Sequence, residues 1–281
     1  LQFTMYYDDT LVDSANAYEQ LVAGIADIAD VHRYESSGFY ISSKWKALTS
    51  GVPVDAVTDF SYKLWETFPE LRDEYSEVYV PAQAYNGGCV YQLLTVNKKV
   101  EQPSDMAGMV IWCETDWNAF VTACGATPVN SPWPEVYSSL QKNMYDGLMI
   151  PGETLESANF AECCQYCIKL DLSYCSGPGH LINLDSWNAL PEDIQQVILS
   201  NASYVEDALM EKFAETENEA YAWAEENYGT EVVELSDANY EAFMDLLRGA
   251  NMEVAEELDA QGLPGTEIIN DLAEWSAEWS D

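Results

Sequence analysis

The closest approach to a reactive spacing in this chain is the run Cys163-Cys164-Gln165-Tyr166-Cys167. Two thiols separated by two residues, here Cys164 and Cys167, can close a small loop for disulfide exchange or supply half of a zinc site. Either use needs help that the neighbourhood does not give. No second such pair and no histidine lies nearby, and Lys169 is the one basic residue close enough in sequence to lower a thiol pKa. Cysteines packed on a helix are the favoured reading. His32 and Arg33, at the end of an expected strand, are acid/base candidates, yet the chain holds only 2 histidines. His32 has no patterned carboxylate partner, so ligand contact suits it at least as well. The acidic run from Glu215 to Glu226 lacks the alternating Asp and the Gly of a calcium loop and reads as a solvated helix face. GxGxxG, Walker-type and GxSxG signatures are absent from the sequence, and with them the phosphate cradle or strained nucleophile each would provide. No catalytic residue, metal ligand or cofactor is therefore assigned.

The composition narrows the partners. With 49 acidic and 11 basic side chains the 281 residues carry a formal net charge of -38. A surface this negative repels nucleic-acid phosphates and anionic lipid headgroups, so neither nucleic-acid binding nor direct membrane insertion is expected. The hydrophobic fraction of 48%, with 9 Trp, 18 Tyr and 8 Phe, is too high for an acidic disordered chain, which cannot bury enough apolar surface to fold. At about 150 residues per domain the length suggests two domains or lobes. No apolar run reaches the ~18 residues that span a bilayer. Residues 1–20 lack the basic start and apolar stretch of a signal peptide, so an export signal is expected to have been removed or left out. The 7 cysteines are an odd number and read as buried thiols with at most one bridge.

The elements that must position any site follow from periodicity. Leu1–Tyr7 alternates like a strand, Leu11–Ile25 is helical, and Asp27–Val31 is a short strand. His32–Lys46 follows as a polar, aromatic loop. Pro53–Phe68 and Glu70–Glu77 read as helix, and strands at Val78–Ala84 and Val90–Val96 bracket Asn86-Gly87-Gly88, a crossing point between lobes. Strand, helix, strand, helix, strand then follow at Met109–Cys113, Asp116–Cys124, Thr127–Val129, Pro134–Lys142 and Gly147–Ile150. This alternation argues for an α/β fold of mixed sheets flanked by helices, whose ligand crevice lies beyond the carboxyl ends of the strands. Tyr34, Trp112–Thr115, Ser131–Trp133 and Met149–Pro151 occupy such ends. A helix is expected at Thr154–Tyr166, with strands near Ile168–Leu172 and His180–Leu184. From Pro191 to Tyr228 no Gly or Pro interrupts a helical pattern roughly 50 Å long, enough to run along both lobes. A strand at Glu231–Leu235, a helix capped by Ser236 and a terminal helix from Glu267 complete the chain.

Residues 98–116, KKVEQPSDMAGMVIWCETD, and 123–151, ACGATPVNSPWPEVYSSLQKNMYDGLMIP, resemble consecutive motifs of the TRAP-type extracytoplasmic solute-binding proteins, the DctP family. LVAGIADIADV, LINLDSWNALPEDIQQVILSNA and GTEVVELSDANYEAF match further family segments in the right order. The resemblance implies a two-lobed, periplasmic-binding-protein-like fold with a long helix spanning both lobes and no catalysis. It further implies capture of a small organic solute in the cleft and delivery to TRAP transporter membrane subunits, in the periplasm or another extracytoplasmic space, with a lipid anchor conceivable in a precursor. It divides the chain into 1–89 with about 177–217 as lobe I and about 90–176 with 218–281 as lobe II. The family's usual first strand and helix have no counterpart here, which is expected to leave lobe I without a piece.

The resemblance also locates a substitution. Where most members end a strand with an arginine that forks onto the solute's carboxylate, this chain has Trp112. A second arginine of some members falls near Gln92, and Ile150 stands where many have Asn. An indole offers a flat apolar face and one N–H and cannot replace a bidentate guanidinium. The expected ligand-binding set is Trp112, Trp133, Thr115, Gln92, Met149, Ile150, Arg33, His32, Tyr34 and Glu114. Its bias is toward an aromatic, neutral or cationic solute, with Glu114 or Asp116 facing a cation. The alternatives are an organic acid gripped by Arg33 and a thiol or redox enzyme using Cys164 and Cys167.

Overall fold

Two sheets carry the architecture, and alternation along their strands decides which side chains meet. The computed structural model describes residues 2–7, 10–13, 16–31, 38–83, 90–174 and 177–279. Strands β1 (Ile28–Asp30), β2 (Val78–Tyr79) and β8 (His180–Asn183) form an antiparallel sheet in the order β1-β8-β2. A six-stranded mixed sheet is built from β3 (Val90–Thr95), β4 (Val110–Trp112), β5 (Thr127–Val129), β6 (Gly147–Pro151), β7 (Tyr166–Ser173) and β9 (Glu231–Val233), in the order β5-β4-β6-β3-β7-β9. The helices are α1 (Ala17–Val22), α2 (Trp45–Thr49), α3 (Val57–Thr67), α4 (Pro69–Asp73), α5 (Asn118–Ala123), α6 (Trp133–Gln141), α7 (Thr154–Ser157), α8 (Leu184–Ala189), α9 (Glu192–Tyr228), α10 (Asp237–Asp259) and α11 (Gly265–Trp279).

The larger sheet is covered on both faces, as central strands with continuous apolar runs require. Tyr91, Leu93, Ile111, Met149, Ile168 and Leu172 point into one core, closed by Phe120 and Val121 of α5 and Phe243 and Leu247 of α10. Leu94, Trp112, Leu148, Ile150 and Cys167 point into the other, closed by Val136 and Leu140 of α6, Leu155 of α7, and Tyr221 and Ala224 of α9. The smaller sheet shares a third core with Trp45, Phe60, Leu64 and Leu71.

Two helices join these bodies. The 37 residues of α9 extend about 55 Å at 1.5 Å per residue. Near its start Gln195 Nε2 donates to the Trp187 carbonyl at 2.9 Å, and Trp187 stacks on Tyr79 of β2 at 3.7 Å. Its far end packs on the six-stranded sheet, where Gly229 at φ 71 stops it in the left-handed conformation that an L side chain resists. Helix α10 starts on the core of the large sheet and ends, through Val254, Ala255 and Leu258, in the core of the small one, where α11 also lies. The hydrophobic cores thus divide the C-terminal part differently from the expectation that all of 218–281 sits with the second lobe. Among the described residues no helix is long and apolar enough to cross a membrane.

Several local expectations are corrected. Residues 2–7 form no strand, and Phe3, Met5, Tyr6 and Tyr7 are exposed, since alternation alone supplies no partner for a ladder. The helix expected at Leu11–Ile25 is reduced to Ala17–Val22, and part of the expected loop before Lys46 coils into α2, with Trp45 buried. The helix expected at Thr154–Tyr166 breaks after Ser157, where Asn159 turns left-handed at φ 58. Tyr166 then opens β7, so Cys167 sits on a strand rather than a helix. The proposed crossing at Asn86-Gly87-Gly88 lies outside the described residues.

Candidate functional site

Strand β4 runs parallel to both β5 and β6, so three carboxyl ends open together at Cys113, Asn130 and Pro151. Short polar bridges hold these ends. Asn130 Nδ2 donates to the Cys113 carbonyl at 2.7 Å and lies 3.1 Å from Asn118 Oδ1. The Trp112 indole N–H donates to the Ser131 carbonyl at 3.2 Å, and the Ser131 hydroxyl meets that of Tyr145 at 2.8 Å. Trp112 is thereby fixed and only 5% exposed. Trp133 leans against it, ring centroids 5.8 Å apart, and meets the edge of Phe160 at 5.8 Å. Trp133 is 46% exposed, so it presents the aromatic surface at this rim while Trp112 backs it.

The other expected residues separate into groups. Thr115 is exposed and Glu114 half-buried at the same rim. Ile150 is buried on the Trp112 face, whereas Met149, its neighbour in a strand of period two, points into the opposite core. His32, Arg33 and Tyr34 lie outside the described residues.

Gln92 has a different task from the one expected. The pairing of β3 with β7 slips between Tyr91 and Leu93, and Asp171 opposite takes a left-handed φ of 46. A bulge of this kind leaves backbone groups unpaired. Gln92 Oε1 accepts from the backbone N–H groups of Leu170 at 2.7 Å and Asp171 at 3.0 Å, while its Nε2 donates to Asp171 Oδ1 at 2.7 Å and Glu217 Oε1 at 3.2 Å. Fully buried and using both ends of its amide, Gln92 stabilises the bulge rather than facing the crevice.

Lys46 is the functional candidate that sequence reasoning missed. It stands on α2, whose Ala47 and Leu48 belong to the core of the small sheet, and its Nζ reaches Glu114 Oε2 beyond β4 at 2.6 Å. Tyr91 donates its hydroxyl to the same oxygen at 2.6 Å, and the Tyr174 ring lies 5.4 Å from the ammonium. Asp116 is raised to about 6 by burial, with Lys46 opposing that rise. A lone Lys at the end of a polar loop gives no sequence signal for a partner 68 positions away.

A second acidic group lies where α9 meets the large sheet. Burial, and then the neighbouring Glu217 charge, lift Glu153 to about 7, and burial lifts Glu217 as well. Glu153 Oε2 is buried without a hydrogen-bond partner, and the Tyr221 hydroxyl beside Glu217 makes no bond of regular geometry. Gly152 permits this approach, since a Cβ there would come within 2.5 Å of the Tyr221 hydroxyl and 2.6 Å of Glu217 Oε1. The Cys164 and Cys167 thiols are free, buried and pushed up, first by burial, which removes the thiolate that exchange chemistry needs. Among the described residues no three His, Cys, Asp or Glu side chains gather closely enough to hold a metal ion.

Comparison with known proteins agrees with this arrangement. The family model of bacterial extracellular solute-binding protein family 7, DctP, matches residues 1–257. The C4-dicarboxylate-binding periplasmic protein DctP of Rhodobacter capsulatus is 25% identical over 174 residues, 61% of this chain and 52% of its own length, so the match spans about half of that relative. A TRAP periplasmic solute-binding protein from Desulfovibrio salexigens superposes with a TM-score of 0.79 at 24% identity, covering 98% of this chain and 84% of the other. A marine-metagenome TRAP solute-binding protein specific for aromatic acids, in complex with metahydroxyphenylacetate, gives a TM-score of 0.80 at 18% identity, covering 96% and 85%. These likenesses carry the two-lobed fold.

Proposed function

Because this chain belongs to bacterial extracellular solute-binding protein family 7, the DctP family, we propose that it captures a small organic solute between its lobes and delivers it to the membrane subunits of a TRAP transporter. In this reading the solute carries a ring and no net negative charge, and the protein works in an extracytoplasmic space. The carrying observation is the end of β4. The resemblance puts a carboxylate-forking arginine at that position, and this chain puts there a buried Trp112 whose one N–H is already engaged by Ser131. Beside it Trp133 offers an exposed aromatic face, suited to a ring by offset or edge contact. A ring-binding relative of similar fold supports the ring, and the missing fork sets this chain apart from an acid binder.

The division into lobes 1–89 with 177–217 and 90–176 with 218–281 enters this reading with α10 and α11 as a brace across both. A thermal-shift screen tests it: neutral or cationic ring compounds stabilise the protein by mass action, and Trp133→Ala reduces that stabilisation. Strong stabilisation by short aliphatic dicarboxylates, with none from ring compounds, overturns it.

A further inference from the structure

The ion pair between Lys46 and Glu114 crosses from the core of one sheet to the strand ends of the other, at the rim where Trp133 is exposed. We propose that this pair sets the charge type of the solute: the cleft takes a net-neutral zwitterion, whose carboxylate replaces Glu114 on Lys46 while its cationic group replaces Lys46 on Glu114. This rests on the reading of the chain as a ring-binding carrier and names the charge class within it.

The reasoning compares what each kind of solute leaves behind. The Lys46 and Glu114 side chains are only 20% and 42% exposed, so each, separated from the other, loses its partner in surroundings where water restores part of the interaction. An uncharged solute that parts them restores neither. An anion satisfies Lys46 but sets a second negative charge beside Glu114 and Asp116, in a chain of net charge -38. A cation satisfies Glu114 and is repelled by Lys46. A zwitterion returns an opposite charge to each side, and with a nitrogen-to-oxygen gap of 2.6 Å to enter it must carry both charges on neighbouring atoms, as an amino acid does.

The surroundings suit the exchange. Tyr91 donates to Glu114 Oε2 at 2.6 Å and holds that carboxylate in place when Lys46 leaves it. The Tyr174 ring at 5.4 Å from Lys46 Nζ offers its electron-rich face to a cation and an apolar surface to a solute ring. Because one charge comes from each side of the cleft, a solute bridging both also draws the two sides together.

Calorimetric titration with three solutes sharing one ring tests this: L-phenylalanine with both charges, phenethylamine with the cation alone, and 3-phenylpropionate with the anion alone. The expected result is that phenylalanine binds at least about tenfold tighter than either analogue, the worth of one charge-assisted contact. Lys46→Met is expected to remove its advantage over phenethylamine, and Glu114→Gln its advantage over 3-phenylpropionate. If a single-charge analogue binds as tightly as phenylalanine to the unmodified protein, the zwitterion proposal falls and the ring reading stands. If none of the three binds, both fall. The wild-type ratios decide even where a variant fails to fold.

Discussion

Replacing Glu153 by Gln should make the protein more stable at pH 8 and leave it almost unchanged at pH 5. Glu153 sits at the turn between β6 and α7 with one oxygen buried and unpartnered, and burial with the Glu217 charge lifts its pKa from 4.5 to about 7. In the unfolded chain the carboxyl titrates near its ordinary value. Between that value and about 7 the folded protein holds a proton that the unfolded chain has released, so stability falls as pH rises through this window. At about 1.36 kcal/mol per pH unit, the displacement corresponds to about 3 kcal/mol of destabilisation, fully developed above pH 7. Gln keeps the shape and removes the charge. Urea unfolding at pH 5 and pH 8 measures the effect, with the variant minus wild-type difference cancelling the repulsion common to both. The expected difference is near zero at pH 5 and up to about 3 kcal/mol in favour of the variant at pH 8. An equal difference at both pH values would refute the reasoning, because it would show that Glu153 meets no more resistance to ionising in the fold than outside it.

Other substitutions probe other parts of the structure. Gly152→Ala drives a methyl group against the Tyr221 hydroxyl and Glu217 and should lower stability by about 1–3 kcal/mol in the same unfolding assay. Gln92→Leu leaves the N–H groups of Leu170 and Asp171 unpaired in a buried bulge and should cost about 2–5 kcal/mol, with faster hydrogen exchange at those two amides as its signature. Cys164 and Cys167 should resist alkylation in the native protein and react only on unfolding, as their burial and raised pKa values require; rapid native labelling of both would reopen a redox role.

The strands of the large sheet were legible because central strands buried on both faces are written as short, continuous apolar runs. Thr127–Val129 is found where the sequence places it, and Val110–Trp112 and Gly147–Pro151 differ from expectation by a residue at their ends. Elements whose existence depends on a distant surface were not legible. The alternating residues 2–7 look like a strand, but no edge takes them up, whereas Trp45–Thr49 becomes a helix because Trp45, Ala47 and Leu48 find a core assembled from remote segments. The break of the expected helix after Ser157 rests on one left-handed asparagine, a conformation that Asn tolerates without announcing it.

The site divides along the same line. Period two already puts Trp112 and Ile150 within reach of one face and Met149 on the other, once the strands are set side by side. What the sequence could not show was which polar groups are engaged by the backbone. Gln92 serves a bulge through Asp171, 79 positions away, and Trp112 serves a loop carbonyl, so two residues expected to face a solute are held by the fold. The cation of the cleft likewise arrives from elsewhere in the chain. An arginine at the end of β4 would belong to one lobe and recognise a carboxylate whether or not the lobes approach. Lys46 belongs to the opposite side and meets Glu114 only across the gap, which makes charge recognition depend on how the two sides are juxtaposed. In this chain, then, reading the solute's charge and closing the cleft become one event.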